Sequence, residues 1–167
     1  VNGGAVRTEV AHAIASNAAS DMFEFNILDV AEAGVGEFPS VTFSVTDPTS
    51  GDAPYDLASA PEFGACADGT SRLAVDIGWT TDEFTNTGSL ADPAQPVSIN
   101  PLIGPGCTGA AADNGDGTYT VVSPVAVPDV SGSIAVAIEG HPWVDLDGDG
   151  LPGFAERIAV TNAIAYV

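Results

Sequence analysis

This sequence predicts an all-β fold: an antiparallel β-sandwich or split β-barrel of immunoglobulin-like size, with about seven strands and long loops. Three observations carry that expectation. Apolar and polar residues alternate with period two in several short runs, as half-buried strands require. Glycine and proline are frequent, 19 and 12 in 167 residues, and cut the chain into short pieces. Runs suited to long helices are scarce. The hydrophobic fraction, 45%, excludes a disordered chain. The length fits one domain with a real core.

The elements follow in order. Residues 1–19 are small and weakly patterned and read as a lead-in segment with a short helical turn; residues 20–167 read as the β-domain. "MFEFNILDV" sets Phe23, Phe25 and Ile27 against Glu24 and Asn26, a strand with one wet face. "SVTFSVTDP" turns Val41, Phe43 and Val45 inward and closes at Asp47 and Pro48, where proline ends ladder pairing. "RLAVDIGW" places Leu73, Val75, Ile77 and Trp79 on one face, and "PVSIN" is a short strand. "NGDGTYTVVSPVAV" opens with a turn at Asp116 and Gly117. "GSIAVAIEG" aligns Ile134, Val136 and Ile138, and "RIAVTNAIAYV" closes the chain with a strand or pair of strands. Two long connections, 47–71 and 80–116, hold one cysteine each. Connections of that length are usually functional or tied down.

The charge balance limits the partners. Asp and Glu total 23 against three basic residues, Arg7, Arg72 and Arg157, for a net charge of −20. That lacks the basic footprint of a nucleic-acid binder and disfavours anionic lipid. It fits high solubility, affinity for cations, or a salty habitat that screens self-repulsion. No apolar run approaches the ~20 residues of a membrane span. The chain begins at Val1 without a signal-peptide pattern and reads as a processed chain or an excised domain.

Cys66 and Cys107 match no zinc, redox or haem-attachment spacing. A disulfide tying the two long loops is the expected arrangement, with two separate thiols as the alternative, and it would imply an oxidising compartment.

The motif with the most chemistry is "DLDGDGLPGFAE", residues 145–156. It fits the calcium-loop pattern D-x-[DN]-x-[DN]-G-x5-E. Asp145, Asp147 and Asp149 supply hard oxygens, the Leu151 carbonyl takes the backbone-ligand place, and Glu156 is the late, bidentate candidate. Gly150 permits the sharp turn. Pro152 removes an amide from the loop, and both flanks read as strands rather than helices. The expectation is therefore a calcium-binding connection between two strands, or else an acidic hairpin without specific metal. Mg²⁺ fits less well, because it rarely uses an all-protein cage. "ADNGDG", residues 112–117, is a weaker echo; Asp113 and Asp116 read as hairpin-turn residues. No nucleophile elbow occurs, and His12 and His141 read as structural or solvated, so no catalytic residue is expected.

Several phrases carry a family resemblance. They are "VTFSVTDPTSGDAPYDL" (41–57), "SRLAVDIGWTTDEFTNTGS" (71–89), "QPVSIN" (95–100), "DGTYTVVSPVAVP" (116–128), "VAIEGHPWVDLDGDG" (136–150) and "VTNAIAYV" (160–167). In this order, over residues 20–167, the chain resembles the haem-free β-domain of outer-membrane decahaem c-type cytochromes of the OmcA/MtrC type. The resemblance implies a barrel or sandwich that alternates with haem-bearing domains on the cell surface. It implies electron transfer by the parent protein to minerals, flavins or other extracellular acceptors, with this domain positioning the haem domains and docking partners. The chain itself contains no C-x-x-C-H, so haem c belongs to parts of the parent protein outside it. Distal haem ligation by His12 or His141 stays open. Two rivals remain: a calcium-stabilised adhesive or S-layer-like surface module, and a secreted carbohydrate-binding domain using Trp79, Trp143, Tyr55 and Phe84 as a sugar platform.

Overall fold

The computed structural model describes residues 8–79, 94–129 and 132–167, with side chains from residue 14 onward. Among these residues nine strands form two antiparallel sheets that face each other as a sandwich and do not close into a barrel. In the first sheet β1 (Glu24–Ala31), β2 (Ser40–Asp47), β7 (Tyr119–Val122) and β6 (Ala112–Asp113) lie in that order. β3 (Ala53–Pro54) pairs with the end of β2. The second sheet runs β5 (Val97–Ile99), β4 (Arg72–Gly78), β8 (Ala135–His141) and β9 (Ala163–Tyr166).

Period-two alternation decides which side chains meet between the sheets. Val41, Phe43 and Val45 of β2 have no exposed surface, and Val75, Ile77, Val136 and Ile138 face them from the second sheet. Register fixes that outcome, because a one-residue slip would turn each set to solvent. β1 keeps Phe25 inside, but a bulge between Ile27 and Asp29 leaves Ile27 half-buried and turns Leu28 outward. The final segment forms one strand, β9, together with a single bridge from Trp143 to Arg157.

Two features depart from the sequence expectation. The lead-in holds a helix of 13 residues, α1 (Thr8–Ser20), rather than a short turn. Its sequence, TEVAHAIASNAAS, is rich in alanine and free of glycine and proline, so intrinsic propensity outweighs its weak amphipathic pattern. The helix runs across the expected boundary at residue 19, and Ala19 enters the core. The other departure is β3 and β6, each two residues long and too short to leave a periodic signal.

The long connections are tied down. Asp47 caps the turn Pro48–Ser50 by accepting from the Thr49 amide at 2.8 Å. The Tyr119 hydroxyl accepts from the Leu57 amide at 2.9 Å. Cys66 and Cys107 form the expected disulfide across a separation of 41 residues and join the loop before β4 to the loop after β5. His141 Nδ1 lies 2.8 Å from the Thr70 carbonyl, and the Arg157 guanidinium donates to the Gly69 carbonyl. Both contacts clamp the loop that leads into β4.

Candidate metal centre

The acidic loop leaves the sandwich at the end of β8. Its base is a short antiparallel pairing. The Val144 amide donates to the Glu156 carbonyl at 3.1 Å, and the Ile158 amide donates to the Pro142 carbonyl at 2.9 Å. Ile158 is fully buried, so this base is anchored in the core. Only the leading flank is the strand the sequence expects, β8; the return arm carries a three-residue helical turn, Phe154–Glu156, and the single Trp143–Arg157 bridge, and residues 158–162 form no strand before β9.

Within the loop, the carboxylates organise their own backbone. Asp145 takes the Gly148 amide on Oδ1 at 2.7 Å and the Gly150 amide on Oδ2 at 3.0 Å. Asp147 Oδ1 accepts from the Asp149 amide at 3.1 Å, and Asp149 Oδ1 accepts from the Leu151 amide at 2.7 Å. Gly148 (φ +80°) and Gly150 (φ +73°) occupy the left-handed region, which a side chain would strain. These turns curl the chain around one point. Asp145, Asp147 and Asp149 each bring an oxygen within 4.8 Å of the others, and all three are exposed.

The remaining two residues of the motif lie differently. Leu151 is 67% exposed and points its side chain to solvent, leaving only its main chain for a ligand role. Glu156 is only 4% exposed and stands outside the group of converging carboxylates. Its Oε2 accepts from the Trp143 indole N–H at 2.9 Å, and its Oε1 accepts from the amides of Leu146 at 2.8 Å and Asp147 at 3.3 Å. Burial pushes its pKa up, but the indole and amide hydrogen bonds outweigh that and hold it below its ordinary 4.5. Glu156 thus bolts the start of the loop to its end. Sequence reasoning missed Trp143 as its partner. The signal was present, since an indole N–H on a half-buried ring needs an acceptor.

Arg157 follows Glu156 but turns away, with its guanidinium 4.0 Å above the Phe154 ring. The one salt bridge among the described residues joins Arg72 to Glu139 at 2.9 Å, so no described basic side chain neutralises the three aspartates. Hard, closely spaced and uncompensated oxygens are what a small divalent cation binds.

The other candidates resolve into structure. Asp113 and Asp116 serve their own turn, accepting from the Gly115 amide at 2.8 Å and from the Thr118 hydroxyl at 2.6 Å. Tyr55 stacks on Phe23 with ring centroids 5.1 Å apart, Trp79 is buried, and Trp143 serves Glu156. Phe84 and the side chain of His12 lie outside the described residues. No family model matches the chain, and neither a curated protein nor a solved structure matches it.

Proposed function

We propose that this chain is a non-catalytic structural and interaction module whose acidic loop holds a calcium ion. The convergence of Asp145, Asp147 and Asp149 within 4.8 Å carries the proposal. Ca²⁺ takes six to eight hard oxygens in flexible geometry. Three carboxylates and the Leu151 carbonyl supply the protein's share, and water supplies the rest. Glu156 acts from beneath, holding the loop in the curled form rather than serving as its bidentate ligand. The ion offsets the mutual repulsion of three carboxylates in a chain of net charge −20.

We further read the module as a haem-free domain of an extracellular multihaem c-type cytochrome. Haem-bearing domains and electron acceptors would be its partners, and electron transfer would belong to the parent protein. The ordered phrases over residues 20–167 support this, and the disulfide is in keeping with an oxidising compartment.

Two experiments separate the parts. Calorimetric titration of metal-free protein with CaCl₂ should show binding, and the melting temperature should rise with calcium. At a hundredfold excess over Kd the stabilisation is about 2.7 kcal/mol. Combining Asp147→Asn with Asp149→Asn should abolish both effects; a wild type indifferent to calcium sinks the cation proposal. The full open reading frame tests the parentage: its lack of C-x-x-C-H motifs would remove the cytochrome reading and leave the cation reading standing.

A further inference from the structure

We propose that the groove between β1 and residues 159–162 binds a basic, extended peptide segment of a partner as an added strand. Among the described residues β1 is the edge of the first sheet and pairs only with β2, so alternate amides and carbonyls along its outer side have no ladder partner there. Across the groove the chain climbs from the buried Ile158 to β9 without regular structure. Among the described residues, the backbone of 159–162 makes no main-chain hydrogen bond. Two stretches of free backbone thus flank a groove of about 600 Å³, within the ~300–1,000 Å³ range of ligand clefts.

The groove is lined by more polar than apolar surface, and its rim is acidic. Phe23 and Phe25, each 5% exposed, line it with Pro48, while Asp21 and Glu24 stand at its edge. Neither carboxylate takes a hydrogen bond or an ion pair among the described residues. The bulge between Ile27 and Asp29 breaks the ladder further along β1, so regular pairing is open over its first residues only. An added strand has side chains that alternate with period two. One set can meet Pro48 and the exposed edges of Phe23 and Phe25 while the other reaches Asp21 and Glu24. Main-chain hydrogen bonds supply affinity in this mode and alternate side chains supply specificity. The charge decides the occupant: a chain of −20 repels a second copy of itself and attracts a lysine- or arginine-bearing segment.

The test uses three five-residue peptides with blocked ends, titrated into the full 167-residue chain at physiological salt and followed by amide NMR shifts. Val-Lys-Val-Lys-Val should shift amides of residues 21–27 and 159–162. Val-Lys-Pro-Lys-Val, equal in charge but lacking the central N–H, should bind at least tenfold more weakly. Val-Glu-Val-Glu-Val should not bind. Combining Asp21→Asn with Glu24→Gln should weaken the first peptide at least fivefold, whereas Asp68→Asn with Asp129→Asn should leave it within twofold. Shifts spread over the acidic surface, equal binding of the proline peptide, or no shift at millimolar peptide would each overturn the proposal.

Discussion

Replacing Glu156 with glutamine keeps size and shape but removes the charge and one acceptor atom. The native carboxylate takes the Trp143 indole on one oxygen at 2.9 Å and the Leu146 amide on the other at 2.8 Å. Glutamine offers one carbonyl oxygen and one NH₂, so one of these donors must face another donor. With 4% exposure, water reaches that mismatch poorly. A bond to a charged group contributes about 1.5–3 kcal/mol, and stranding a buried donor costs about 1–3 kcal/mol. Part of each is recovered by relaxation of the loop, so we expect Glu156→Gln to destabilise the fold by roughly 2–4 kcal/mol. For a chain of this size that is a fall of roughly 5–15 °C in Tm.

The assay is thermal unfolding by circular dichroism and calorimetry, in EDTA so that metal does not enter the comparison. Its second arm is pH. The folded pKa of Glu156 lies below 4.5, so the stabilisation is fully present above that value and is lost as pH falls through the folded pKa. The difference between wild type and variant should be constant near neutral pH and shrink below about pH 4.5. A variant that melts within ~1 °C of wild type, or a difference unchanged in acid, would refute the reasoning.

Opening the disulfide with Cys66→Ser and Cys107→Ser frees a closure of 41 residues, worth about 4 kcal/mol in the loop-entropy model; reduced wild type should melt with the double variant. Gly140→Ala would drive its Cβ onto the Arg72 carbonyl within the β4–β8 pairing, and the urea midpoint should fall by the equivalent of about 1–3 kcal/mol. Asp47→Asn removes a carboxylate whose pKa is held down by hydrogen bonds from Thr49 and Ser50, so its destabilisation should be present above the ordinary 3.8 and fade below it in acid-unfolding curves.

Much of the fold is legible locally. The inward sets on β2, β4 and β8 follow directly from alternation, and Asp47 with Pro48 ends β2 where proline demands it. The helix α1 was legible only in part, because alanine carries propensity without a strong face. The disulfide was legible as two cysteines in long loops. Its closure needed β4 and β5 to pair and bring those loops together.

The acidic loop divides the same way. Spacing alone assigned Asp145, Asp147 and Asp149 to one curled turn, because an aspartate on a glycine-rich loop can accept from the amide two residues further on. Glu156 matched the same pattern, yet its role depends on atoms that only the fold assembles. Pairing across the base of the loop buries it beside Trp143, and a buried carboxylate must accept hydrogen bonds from whatever donors surround it. A sequence specifies which side chains can ligate; the tertiary contacts determine which of those oxygens are already taken.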